Sequence, residues 1–88
     1  MLNQHASVNS VFRALADPTR RTIVDQLSRG QASVSDIALP LKISLAAVVQ
    51  HIQVLEECGV IRTQKTGRIR TCQVEPQSFA VLEQWLAG

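Results

Sequence analysis

At Gly59 the hydrophobic rhythm of the chain changes: over residues 44–58 apolar side chains recur every three to four positions, and over residues 60–74 they alternate. The chain is thereby confined to folds in which a helix feeds directly into a β-hairpin. Both ends of that helix are marked. Ser44 can accept a hydrogen bond from a free first-turn amide, and Gly59 can take the left-handed conformation that closes a helix. The element is about four turns long.

At 100° per residue, Leu45, Val48, Ile52 and Leu55 form one apolar arc of this helix. Ala47, Val54 and Cys58 extend it on one side, with His51 between them. The opposite arc carries Ala46, Val49, Gln50 and Gln53, and Glu56 and Glu57 stand at the helix end. An ordinary exposed helix face is charged. This one is small, uncharged and amide-bearing, which reads as a face kept clear for contact with something else.

The hairpin that follows is basic. Residues 60–65 and 68–74 are β-prone runs either side of Thr66-Gly67, with glycine where the turn needs positive φ. Alternation places Arg68, Arg70 and Cys72 on one face and Ile69, Thr71 and Gln73 on the other. Residues 62–72 hold Arg62, Lys65, Arg68 and Arg70 and no acid, so like charges crowd one ribbon unless a polyanion meets them.

Elsewhere the chain reads as short helices. Residues 1–10 are polar, with a partnerless His5, and Val8, Val11, Phe12 and Leu15 mark an amphipathic first helix whose stripe is either intramolecular or shared with a second subunit. Asp17-Pro18 starts a second helix that runs through Arg20, Arg21, Ile23, Val24 and Leu27 to Gly30. Residues 31–34 form a connector able to pair as a minimal strand. Ser33 or Ser35 then caps a third helix that buries Ile37, Ala38 and Leu41 and is shortened by Pro40. Pro76 opens a last helix with Phe79, Leu82, Trp85 and Leu86 on one side.

The order short helix, tight turn, longer helix, basic hairpin is that of a winged helix-turn-helix. The expected class is mainly α with a small β-hairpin: about five helices plus a two-stranded wing, in one domain over residues 1–88. At 88 residues the chain buries roughly 60% of its unfolded surface, and 45% hydrophobic content with two Phe, one Trp and no Tyr points to an aliphatic core. No apolar run is long enough to span a membrane and the N-terminus lacks a signal peptide's basic head and apolar core, so a cytoplasmic protein is expected. Cys58 and Cys72 make neither a disulfide framework nor a zinc ligand set. With no Ser/His/Asp set, phosphate loop or carboxylate pair, the sequence points away from an enzyme, and no cofactor or metal is expected.

A helix of this width fits the major groove of B-DNA, and its first turns reach base edges. Ser44, Ala46, Ala47, Val49, Gln50 and Gln53 are the candidate base readers: glutamine can bond adenine in a bidentate way, and Val49 either meets a thymine methyl or packs on a neighbour. Lys65, Arg68 and Arg70 suit phosphates or an adjacent minor groove, with Arg20 and Arg21 as further phosphate candidates. Each has a plainer reading. Gln50 and Gln53 can be merely solvated, Arg20 can pair with Asp17 or Asp25, and His51 can sit at the core rim. Cys58 reads as a small core residue. Cys72 is either an inert strand cysteine or, on the basic face with a lowered pKa, a redox switch. The alternative function is a protein- or RNA-interaction module without operator binding, which would bind duplex DNA with no steep salt dependence.

Three stretches taken together resemble the ArsR-type winged-helix regulators: the residues from Leu15 to Arg21, those from Ser44 to Ile61, and Gly67 to Arg70 of the wing. The resemblance covers residues 11–86. It implies a homodimeric transcription factor, usually a repressor, joined through its first and last helices, with one reading helix per half-site of a near-palindromic DNA duplex. The apolar residues those helices offer are Val8, Phe12, Leu15, Phe79, Leu82, Trp85 and Leu86. Metal-sensing relatives need thiolates or histidines in defined places; here residues 34–39 have no cysteine and residues 77–86 no histidine or aspartate. The chain thus resembles the subgroup without those sites, and Val49 stands where the family more often has a polar residue.

Overall fold

Helix starts in this chain are built from short polar side chains. The computed structural model describes residues 7–88, so His5 and the rest of residues 1–6 lie outside the described residues. Ser7 and Ser10 satisfy each other's backbone amides across the first turn of α1 (Val8–Leu15). Asp17 accepts from the Arg20 N–H at 3.0 Å, and Pro18 takes the first position of α2 (Pro18–Ser28), where a missing amide costs nothing. After β1 (Ala32–Ser33), Ser33 caps α3 (Val34–Ala38) and Ser44 caps α4 (Leu45–Glu57). Each serine cap contributes about 1 kcal/mol. α3 stops two residues short of Pro40, as a ring with no N–H requires.

α4 ends where the sequence marks it. Gly59 has φ +78°, its N–H bonds the Glu56 carbonyl at 3.0 Å, and the Val60 N–H reaches back to Leu55 at 3.0 Å. That pair of bonds needs the left-handed conformation glycine adopts freely. The chain then enters β2 (Ile61–Thr66), turns, and returns as β3 (Ile69–Val74) before α5 (Pro76–Ala87).

The hairpin differs from expectation in two ways. Thr66 pairs with Ile69, so the turn is Gly67-Arg68, one residue later than the Thr66-Gly67 reading, with Gly67 at φ +62°. Arg68 is therefore at the wing tip and not in a strand. The connector does pair as a minimal strand, which makes the sheet three-stranded where a two-stranded wing was expected: Ala32 pairs with Cys72 and Ser33 with Thr71, giving the antiparallel order β1-β3-β2. Two ladder pairs suffice to anchor the base of β3 to the connector that opens α3.

The core is aliphatic. Val11 and Ala14 of α1, Ile23, Val24 and Leu27 of α2, and Ile37 of α3 meet Val48, Ile52 and Leu55 of α4, closed from below by Val60, Ile61 and Cys72. Burying an aliphatic side chain of this size contributes about 1.5–3 kcal/mol, so Val48, Ile52 and Leu55 alone fix which way α4 faces. Leu45, expected in the same arc, is 56% exposed. It sits in the first turn, beyond the edge of the layer its helix packs on. Ser10 Oγ donates to the Cys58 carbonyl at 3.1 Å and ties α1 to the end of α4.

Candidate nucleic-acid interface

The apolar grip on one side of α4 leaves its other side open. Ala46, Gln50 and Gln53 are exposed, and Val49 and Ala47 are half-buried at its margins. Ser44 is also exposed, but its Oγ accepts from the Ala47 N–H at 3.1 Å, so its first role is to cap the helix. No hydrogen bond holds the Gln50 or Gln53 amide among the described residues, leaving both donor and acceptor free on a rigid element. His51 turns away from this face: its Nδ1 lies 3.9 Å from Asp17 Oδ2, at the start of α2. That matches the rim reading.

The wing brings three cations to one end of the molecule. Lys65 of β2 and Arg70 of β3 are directly opposed in the ladder, and Arg68 stands at the turn between the strands. Opposed like charges repel, and none of the three has an ion pair among the described residues. Arg62, nearer the base, is engaged: Gln73 accepts from its guanidinium and Glu75 lies 4.0 Å away. Arg70 borders the same hollow as Val49 and Gln53, so α4 and the wing share one open side.

Arg20 and Arg21 do not join them. Arg20 Nε donates to the Ala14 carbonyl at 2.8 Å and its Nη2 to Arg13 at 3.1 Å, while Arg21 Nη1 reaches Leu15 at 2.7 Å. Both side chains cap the C-terminal carbonyls of α1, where a cation also meets the negative end of the helix dipole. This corrects the phosphate reading of Arg20 and Arg21. The weighed alternative of an ion pair with Asp17 or Asp25 is not formed either; Asp17 contacts Arg20 through the backbone N–H, and Asp25 pairs with Arg29 at 2.7 Å. That N–H bond is the main cause holding the Asp17 carboxyl below its ordinary range, with the nearby His51 and Arg20 charges assisting.

Of the two readings of Cys72, the inert strand cysteine fits and the redox switch does not. It shares a strand face with Arg70, but that face turns into the core at Cys72, which is 0% exposed. Burial first, and the Glu56 carboxylate second, push its thiol upward against the pull of Arg70, the reverse of a lowered pKa. Cys58 is a buried core residue. Among the described residues no three His, Cys, Asp or Glu side chains are placed to hold a metal ion, and no helix is long and apolar enough to cross a membrane.

Far from the wing, α1 packs along α5, and Phe12 meets Trp85 edge-on with ring centroids 5.2 Å apart. Phe12, Trp85 and Leu86 remain 43%, 57% and 68% exposed. Val8, Leu15, Phe79 and Leu82 are half-buried beneath them. The stripe is thus partly intramolecular, and it leaves an aromatic surface uncovered.

Comparison with known proteins bears on this arrangement. The model of the bacterial regulatory protein arsR family matches residues 17–63, from the cap of α2 into β2. The transcriptional repressor SdpR of Bacillus subtilis is 38% identical over 61 residues, covering 69% of this chain and 68% of SdpR. The crystal structure of an ArsR family transcriptional regulator, RHA00566, superposes with TM-score 0.85 at 50% identity, over 91% of this chain and 82% of that one. A winged helix-turn-helix DNA-binding domain from Mycobacterium bovis, described as homodimeric, superposes with TM-score 0.76 at 26% identity, over 91% and 77% of the two chains.

Proposed function

The chain belongs to the arsR family of bacterial regulatory proteins, a family of transcription regulators, and from that premise we propose that it is a homodimeric repressor that binds a near-palindromic operator. The observation that carries the reading is the shared open side: an uncharged, amide-bearing face of α4 beside a wing whose Lys65, Arg68 and Arg70 have no acidic partner among the described residues. In this reading α4 enters the major groove with Ala46, Ala47, Val49, Gln50 and Gln53 at base edges, Ser44 caps it at the groove entrance, and the wing cations neutralise phosphates. Arg20 and Arg21 act by fixing the end of α1.

The second subunit is joined through α1 and α5. Phe12, Trp85 and Leu86, with Val8, Leu15, Phe79 and Leu82 behind them, supply apolar area that water otherwise covers. The homodimeric description of the Mycobacterium bovis domain supports this assembly, and the repressor name of SdpR supports the regulatory sign. A twofold axis there places the two α4 helices about 34 Å apart, one turn of DNA. Acting in the cytoplasm, the dimer blocks polymerase by occupancy and performs no catalysis.

Binding of a short duplex across a salt series tests the reading. If the three wing cations of both subunits engage, log Kd against log salt has a slope of magnitude about 5. A flat slope, or no duplex binding at low salt, overturns it.

A further inference from the structure

α4 and the wing do not close on each other. Leu45 lies at the mouth of a hollow it shares with Val34, Ile69, Arg68 and Arg70. Val49, one turn further along α4, borders an adjoining hollow that also includes Val34 and Arg70. Leu45 is 56% exposed and Ile69, opposite on the wing, 59%. Two large aliphatic side chains are therefore held in water beside Arg68 and Arg70, which have no ion pair among the described residues.

Charge decides what fits between them. Arg68 and Arg70 at the rim favour a polyanion. Asp36 lines the same hollow, so a phosphate is drawn to the Arg68 and Arg70 side of it and not to the stretch beside Asp36. The part of a duplex that suits an apolar floor within a cationic rim is a base edge, and the apolar group on the major-groove edge is the thymine 5-methyl. We propose that Leu45, together with Val49, reads thymine methyl groups and makes Leu45 a specificity-determining residue of the operator contact; this rests on the reading of α4 and the wing as a duplex-binding surface. The two residues lie four positions apart, about 6 Å along the helix, which spaces them for thymines at neighbouring or next-neighbouring base pairs. Leu45 projects from the first helical position outside the buried core, so truncating it should disturb the fold little.

The test starts by selecting bound sequences from a random duplex pool with the full chain. Each thymine of the selected site is then replaced by deoxyuridine, which lacks only the methyl. At one or two positions per half-site the native protein is expected to lose about fourfold in affinity per methyl, and Leu45→Ala or Val49→Ala is expected to bind the thymine and deoxyuridine duplexes equally there. Unchanged thermal unfolding of Leu45→Ala shows that the loss is not one of folding. A native protein indifferent to every deoxyuridine, or a penalty that persists in both variants, overturns the methyl contact while leaving duplex binding in place. A chain that selects no duplex at all overturns the duplex-binding reading and the methyl contact with it.

Discussion

In the first turn of α2, Arg20 and Arg21 bend back onto the carbonyls that end α1, at 2.7 to 3.1 Å; in the wing, Arg68 and Arg70 have no such acceptor among the described residues. Both pairs look alike as basic residues near a proposed duplex face. What separates them is the supply of orphaned carbonyls. A helix end leaves its last carbonyls unsatisfied, and α1 ends directly beneath Arg20 and Arg21. A two-residue hairpin turn offers no comparable set of acceptors, so the charges of Arg68 and Arg70 face solvent. Position on a basic surface is thus a poor guide to function until the local acceptors are counted.

The largest expected effect breaks or keeps this contrast. Arg20→Ala removes two charge-assisted bonds and leaves the Ala14 and Arg13 carbonyls without them, so the urea midpoint should fall by the equivalent of about 2–3 kcal/mol with m unchanged. The salt slope of duplex binding should stay as it was. A lower slope with unchanged stability would put Arg20 among the phosphate contacts after all. Next is Gln50→Ala, on the open face: a loss of about 1–3 kcal/mol on the selected operator and little on random duplex. Equal losses on both would mean that Gln50 does not read a base. Arg68→Ala and Arg70→Ala, each removing one cation from both subunits, should each cost about 2 kcal/mol near 0.15 M salt on either duplex and lower the slope by about 1.8, with stability within about 0.5 kcal/mol of native.

The closed region also has a pH signature. Asp17 has its carboxyl held below its ordinary value of 3.8, so its charge stabilises the folded state above that value and the contribution is lost as pH falls through the lower folded pKa. Asn also caps helices, so Asp17→Asn isolates the charge: the native protein should be the more stable at neutral pH, and the difference should close below pH 3.8. A difference that grows on acidification would reverse the sign argued here.

Much of this arrangement could be read before any coordinates. Ser44 and Gly59 bracket α4 because capping is local chemistry, written within a few residues of the helix end. The outward set Ala46, Gln50 and Gln53 follows from periodicity alone. The misses are all nonlocal. Leu45 satisfies the apolar period but projects past the layer that would have covered it. The connector's ability to pair as a strand was legible, but not its partner, because Ala32 and Ser33 meet Cys72 and Thr71 from about forty residues away in sequence. Arg20 finds its acceptors on another helix. The one-residue shift of the turn to Gly67-Arg68 is set by the pairing of Thr66 with Ile69, which the dipeptide itself does not specify.

Cys72 gives the smallest expected effect, and it tests the same contrast within a single strand. Arg70 and Cys72 are two positions apart and share a face, yet Arg70 is exposed and Cys72 is 0% exposed. Thiolate, the species that peroxide oxidises, is scarce when burial and the Glu56 carboxylate both raise the thiol's pKa, and the core packed over that face of β3 closes the route to it. Brief peroxide treatment should therefore leave operator affinity unchanged in the native protein and in Cys72→Ala alike. A loss of affinity in the native protein that is absent from Cys72→Ala would mean that the core side of β3 opens in solution, and the boundary between the closed and open regions would then lie further from the wing tip than these contacts place it.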